Sequence, residues 1–488
     1  MHSILICSET LVERIHMNPN NPAPQQPVPL TQNSLPQEEG GGSFKKKLLS
    51  ILIGIFVLSI VTALVFVFVI PMFSGKKTGK AELVYWGLWE DPKTMNSVIA
   101  DFNREYPDIK VKYEKQDITT FNDYIARLTT RISQGNGPDI YRFHNSWPLQ
   151  LQGYLSPLTA DVVSSLELDT AYYNVIKKDL NRNGAFYGVP LQIDTLALFI
   201  NNELFKDGDL SAPPTTWIEL TDMAGKLTVQ DELGQIKTAG VALGTYDNIY
   251  HASDIISLLL VQNRADLYNL SGQTKQNAVD ALGPKFYTAF TLGDENGAGK
   301  TWDNTFENSK LAFANGSLAM YFGYSWDIFE IKSKNTDLEF TVVPVPHLTE
   351  DRSETIASYW VEGVSSKSKH QKEAMTFLKF LGKKETLQKL YALESKQRLF
   401  GELYPRRDMK SLLSSNPLLK TFLDQADNAV STPFSSDTYD GAMNAALNTY
   451  MGNAVNSILE GGSAETAVDT LGAGETQVLG KYKAPSAK

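Results

Sequence analysis

The chain predicts an α/β protein built as two lobes and preceded by one transmembrane helix, and three observations carry that expectation. From Ala81 onward roughly 400 residues remain, more than one hydrophobic core usually serves. Short strand patterns alternate with amphipathic helical ones along that length, the mark of parallel strand pairs covered by helices. Ahead of them, Leu48 to Ile70 is an unbroken apolar run of about 23 residues without a charge, long enough for one bilayer crossing.

Asn18 to Ser43 is rich in Pro, Gln, Asn and Gly and buries too little apolar surface to fold alone. Residues 1–47 are therefore read as a disordered cytoplasmic tail, 48–71 as the anchor and 72–81 as a linker. The apolar run is too long for a cleavable signal peptide, and Ile70-Pro71-Met72-Phe73-Ser74 offers no small-residue cleavage site. Lys45, Lys46 and Lys47 before the run are matched by Lys76, Lys77 and Lys80 after it, so charge alone gives no orientation.

Leu83-Val84-Tyr85-Trp86 reads as a buried strand. Asp91-Pro92 opens a helix toward Tyr106, with Val98, Ile99, Phe102 and Tyr106 at helical spacing and Pro107 as the stop. Ile109 to Tyr113 alternates as a strand, Phe121 to Ser133 is an amphipathic helix, and Ile140 to Phe143 is a strand again. Asn183-Gly184 marks a tight hairpin. The apolar run Leu196 to Ile200 follows, and Thr216 stands as the cap of a helix that buries Trp217. Leu311 to Tyr321 is small and apolar, Phe340 to Pro346 is a strand leading into a loop, and Gln371 to Leu381 and Glu385 to Leu393 are helical.

A net charge of −10 excludes a nucleic-acid partner, because phosphate binding needs a basic stripe and none is present. The single cysteine, Cys7, forbids an intrachain disulfide, and the six histidines lack zinc-type spacing. No metal and no cofactor is expected. Gly293 to Thr301 imitates a phosphate loop, but Asp294 stands where its first glycine belongs. Asp179 to Gly184 begins like a calcium loop whose twelfth position is Pro190 where glutamate is needed.

Several segments, taken in order, resemble the family 1 extracellular solute-binding proteins of ABC transporters. They are Val84-Tyr85-Trp86-Gly87 with Trp89, Gly137-Pro138-Asp139-Ile140-Tyr141, Gly153 to Leu158, Phe186 to Pro190, and Leu198 to Phe205. Pro214 to Trp217, Phe313 to Met320, Gly363 and Lys372 to Leu378 complete the set. The resemblance implies a two-lobed periplasmic-binding-protein-like (type II) fold with a hinge and a ligand cleft between the lobes. It implies crossings near Gln192–Thr195, Ser358–Gly363 and Ser395–Tyr404, with 82–192 plus 357–395 as one lobe and 193–356 plus 396–485 as the other. It also implies ABC permease subunits as partners, and a soluble module on the outer side of the cell membrane. The anchor departs from relatives that are lipidated or free.

A sugar presents C–H faces and a ring of hydroxyls, which aromatic rings and carboxylate or amide groups satisfy. Candidates for such a cleft lie at strand ends. They are Trp86, Trp89 and Glu90; Asn145 and Trp147, with His144 more often a satisfied loop residue; Gln192 and Asp194; Tyr246 and Asn248; Tyr324 and Trp326; Trp360 and Glu362; and Arg406. Asp194 has a second reading as a hinge hydrogen-bonding group, and Arg406 as a solvated charge beside Arg407. Two alternatives to a sugar-binding protein stand beside it. One is a glycosidase using a pair among Glu90, Asp194, Asp327 and Glu362, and the other is a surface sensor or adhesin. A polyamine, a metal ion or glycerol phosphate are the alternative ligands within the family.

Overall fold

The computed structural model describes residues 81–117, 124–270, 277–293 and 299–482, together with Ser59. The expected tail and linker, and all of the expected transmembrane run but Ser59, lie outside the described residues. Among the described residues no helix is long and apolar enough to cross a membrane.

The chain opens with β1 (Ala81–Gly87), β2 (Ile109–Lys115) and β3 (Ile140–His144), joined by helices Pro92–Glu105 and Tyr124–Ser133. A hairpin of β4 (Asn181–Arg182) and β5 (Ala185–Phe186) precedes β6 (Val189–Pro190), β7 (Asp194–Thr195) and β8 (Ala197–Asn201). Then come β9 (Val229–Gln230), β10 (Ile236–Val241), β11 (Leu318–Gly323) and β12 (Phe340–Val343). β13 (Thr355–Ser358), β14 (Trp360–Val364) and β15 (Ala429–Val430) complete the strands among the described residues.

Two five-stranded sheets organise the lobes, in the orders β2-β1-β3-β14-β6 and β12-β8-β11-β10-β9. A third sheet, β15-β13-β7, consists of strands that connect them. The first sheet is parallel where β1 meets β2 and β3 and antiparallel where β14 meets β3 and β6. Pairing of β7 with β13, and the hydrogen bond from the Ile193 amide to the Leu403 carbonyl (3.0 Å), gather the connecting chains at one place.

Local chemistry explains these elements. Asp91 caps its helix by accepting from the Lys93 amide at 2.8 Å, and Pro92 occupies the first turn, where its missing N–H costs nothing. That helix buries Val98, Ile99 and Phe102, and Phe102 meets Phe377 edge-on at 4.8 Å, which ties the sheet to helix Gln371–Leu381. Asn183 and Gly184 both adopt positive φ, 52° and 81°, as a two-residue hairpin turn requires. Thr216 and Glu219 form a reciprocal capping box that starts helix Trp217–Leu227. The apolar stretch Leu311–Tyr321 is divided at Gly316, whose φ of 79° ends one helix (Ser309–Ala314) and turns the chain into β11.

Candidate functional site

One face of the first sheet carries the first half of the site. Arg142 and His144 on β3 lie directly opposite Glu362 and Trp360 on β14, so the period-two pleat puts all four side chains on the same side. Trp360 meets His144 at 5.0 Å, Trp147 at 5.3 Å and Trp89 at 5.5 Å, each edge-to-face. Such pairs add roughly 0.5–1.5 kcal/mol each beyond the area they bury. His144 lies between the Ser146 hydroxyl (2.8 Å, Nδ1) and the Ser358 hydroxyl (3.0 Å, Nε2), and burial pushes its pKa down to about 3. It is a neutral spacer in the aromatic wall.

Beneath that wall Arg142 bridges two carboxylates. Its Nη1 lies 2.5 Å from Glu90, and its Nε and Nη2 lie 2.6 and 2.5 Å from Glu362. All three side chains are buried. Burial, opposed by Arg142 and reinforced by Glu90, pushes Glu362 up to about 7. The Tyr85 hydroxyl also donates to Glu362, and the Tyr113 hydroxyl pairs with Glu90.

The second lobe supplies the other half from the end of β11. Trp326 stacks on Tyr324 with centroids 4.3 Å apart and planes 13° from parallel. His251 sits edge-on to Tyr324 at 5.0 Å and holds Asp327 at 2.8 Å through Nε2. Burial alone would lower the His251 pKa, but Asp327 and Asp254 outweigh it and raise it to about 10. Lys310 lies 3.5 Å from Asp327 and 2.5 Å from Glu330, with its ammonium 3.6 Å from the centre of the Tyr250 ring.

The stretch from Ser431 to Asn444 spans the two halves. On the first lobe, the Ser431 hydroxyl accepts from Asn145 at 2.8 Å, the Ser146 hydroxyl donates to Asn444 at 3.1 Å, and Gln150 donates to Asp440 at 3.2 Å. On the second, Ser436 donates its amide to Asp254 at 3.2 Å and pairs with His251 Nδ1 at 2.7 Å. Tyr439 packs 6.0 Å from Trp89 and is hydrogen-bonded to Tyr250, so it touches a residue of each lobe. Asp437 and Tyr439 both have left-handed backbone, φ 51° and 53°, a strain that surrounding contacts must hold in place. Phe329 of the second lobe meets Phe400, in the expected crossing segment Ser395–Tyr404, at 4.5 Å, under the Arg398 guanidinium at 5.0 Å.

The structure brings Trp89, Glu90, Trp147, Trp360 and Glu362 together on one side and Tyr324 and Trp326 on the other, while Asn145 accepts from the Tyr359 amide at 3.0 Å and donates to Ser431. Asp194 is a connector: it accepts from the Thr195 amide at 2.8 Å and the Ser325 amide at 3.1 Å, at the crossing strands. Burial raises its pKa, with the Ser325 and Thr195 hydrogen bonds opposing. Gln192 is buried just before that crossing. Trp86 is placed elsewhere: its indole N–H donates to Glu114 at 3.0 Å, and its ring lies below Arg127 and Arg131. Tyr246 packs toward helix Met443–Leu459 at Gly452, and Asn248 donates to the carbonyls of Asp303 and Phe306. Arg406 is neither beside these aromatic residues nor solvated. It is buried against Glu167 (2.8 Å), Asp408 (2.9 Å) and the Leu166 carbonyl, over the Tyr172 ring. Sequence reasoning passed over Tyr250, His251, Asp254, Asp437 and Tyr439. The clustered polar and aromatic residues of Ser435 to Asp440 were the one local signal for the last two.

The family model for bacterial extracellular solute-binding proteins matches residues 86–387, more than half of the chain. The multiple sugar-binding protein of Streptococcus mutans is 27% identical over 333 residues, covering 66% of this chain and 76% of that one. The galactooligosaccharide-binding protein of Bacillus subtilis is 24% identical over 323 residues, 62% of this chain and 70% of its own. Among solved structures, the sugar-binding protein MalE from Xanthomonas citri superposes with a TM-score of 0.65 at 19% identity, covering 82% of this chain and 98% of that one.

Two measurements test this geometry. Arg142→Met leaves two buried carboxylates without their cation and is expected to cost about 3–5 kcal/mol in urea unfolding; a loss below about 1 kcal/mol would mean that the triad is not buried as described. The raised His251 pKa gives stability that is full below pH 6.5 and disappears as the pH rises toward 10. The stability gap between the wild type and His251→Gln should therefore shrink across that window, and a constant gap would contradict the ion pair.

Proposed function

The chain belongs to the bacterial extracellular solute-binding protein family, and from that premise we propose that it captures a carbohydrate, an oligosaccharide, outside the membrane for an ABC importer. The observation that carries this reading is the pair of aromatic walls, Trp89–Trp360–Trp147 on one lobe and Trp326–Tyr324 on the other, with Tyr439 touching a residue of each lobe. Indole and phenol rings offer flat apolar area to sugar C–H faces at low entropy cost, while carboxylate oxygens accept from hydroxyls. The named sugar-binding relatives support the same ligand class.

Closure follows from the division of the walls. A ligand favours the closed form only by binding it better than the open one, which needs contacts from both lobes at once. The apolar run Leu48–Ile70 would hold the module beside its permease and raise the effective concentration without any new contact.

The carboxylates a glycosidase would employ are already committed. Glu90 and Glu362 grip Arg142, Asp327 grips His251, and Asp194 accepts from the crossing strand and from Ser325. Each of the four is held by a partner inside the fold, which favours binding over hydrolysis.

The test is a thermal-shift screen of mono- and oligosaccharides on the detergent-solubilised full-length protein, with tryptophan fluorescence and product analysis alongside. A true ligand at a hundred times its Kd should add about 2.7 kcal/mol of stability, quench or shift the indole emission and remain intact. Cleavage products, or no response to any saccharide, would overturn the proposal.

A further inference from the structure

We infer that Asp194 and Ser358, which face each other in the ladder of crossing strands, are positioning residues for the two aromatic walls, Asp194 acting through Ser325 and Ser358 through His144. The inference deepens the carbohydrate reading above, on which the use of the walls rests.

Asp194 on β7 and Ser358 on β13 are direct partners in an antiparallel pair, so their side chains leave the ladder on the same side. From there they part. The Asp194 carboxylate accepts from the Ser325 amide at 3.1 Å and from the Ser325 hydroxyl. Ser325 stands between Tyr324 and Trp326, the stacked pair of the second lobe. The Ser358 hydroxyl pairs with His144 Nε2 at 3.0 Å, and His144 meets Trp360 at 5.0 Å in the first lobe. Each residue of one rung therefore ties the crossing strands to a different wall.

The rung itself is held. Thr195, pointing the other way by the pleat, donates its hydroxyl to the Phe422 carbonyl at 2.8 Å and accepts from Gln425 at 3.0 Å. The Asp194 carboxylate also accepts from the Thr195 amide at 2.8 Å, so one side chain clasps the crossing strand and the wall loop together. Asp327 grips the same loop from within the second lobe, through the Tyr324 amide at 3.1 Å.

Asp194, Ser325, Ser358 and His144 are all buried. A carboxyl without a cation is a costly group in such a place, and Asp194 has no ion-pair partner among the described residues. It supplies two oxygens on one carbon, one for each segment. Ionised, it accepts from all three donors; protonated, it turns one O–H to the Ser325 hydroxyl. A wall held loosely still has to be ordered when its guest arrives, so cutting either tie weakens binding without altering an indole.

The experiment uses the full-length protein in detergent, its seven tryptophans replaced by 5-fluorotryptophan and read by fluorine NMR without sugar. Single Trp→Phe variants assign the resonances. Ser325→Ala and Asp194→Ala should shift Trp326 and leave Trp360 and Trp147 in place, and Ser358→Ala should do the reverse. Asp194→Asn keeps one acceptor oxygen and should shift Trp326 less than Asp194→Ala. Trp217 and Trp302 belong to neither wall and report that the fold survives. Unmoved wall resonances, or shifts not confined to the named wall, overturn the inference; Ser325→Ala and Ser358→Ala each remove one hydroxyl and keep that readout available if Asp194→Ala fails to fold. The same samples are then titrated with maltotetraose, mannotriose and galactotriose. Asp194→Ala should weaken whichever of them the wild type binds at least tenfold. Undiminished binding overturns the inference and leaves the carbohydrate reading intact. No response of the wild type to any saccharide overturns that reading, while the fluorine spectra still decide the placement.

Discussion

Arg142 carries a charge into the interior, where an unpaired ion costs several kcal/mol, and among the described residues Glu90 and Glu362 are the carboxylates near enough to offset it. That requirement fixes more than a salt bridge. Glu362 must lie opposite Arg142 across the β3–β14 ladder, and a slip of one residue would turn it to the other face. Glu90 must fold back from the end of β1. With both carboxylates held, their neighbours in sequence are held too: Trp89 precedes Glu90, and Trp360 shares the Glu362 face. The ion triad thus sets the position of the aromatic wall above it.

The second lobe repeats the device with different chemistry. Asp327 accepts from His251, the Tyr321 hydroxyl (2.9 Å) and the Tyr324 amide (3.1 Å). The residues around it, Tyr324 and Trp326, form the opposing wall. His251 also holds Ser436, so the charge that orders this wall anchors the stretch carrying Asp437 and Tyr439. Each lobe places its own aromatics rigidly, and the stretch 431–444 couples them. Asp179 adds to that coupling: it accepts from Tyr359 at 2.5 Å, beside β14, and from Ser431 at 2.6 Å. Burial, against those hydrogen bonds, raises its pKa to about 6.

What the sequence made legible follows from what periodicity reports. Strands 81–87, 109–115 and 140–144 and the helices between them were readable because each buries one face of a local repeat. Trp89, Asn145 and Trp360 were readable as site candidates because they sit at strand ends, a local property. Tyr439 was not, since its place depends on a chain segment meeting Asn145 from 286 residues away. His251 looked like one scattered histidine until Asp327, 76 residues on, gave it a partner and a role. Arg406 shows the converse. A charge after Tyr404-Pro405 reads equally as a site residue or a solvated one, and only the fold reveals Glu167 as its partner.

The central claim is that the walls of both lobes grip one guest. A crystal structure of the protein with an oligosaccharide bound tests it most directly. The expected result is sugar rings lying against Trp89 or Trp360 on one side and Trp326 on the other, with Tyr439 in contact. A ligand seated on one lobe alone, or away from both indole clusters, would contradict it.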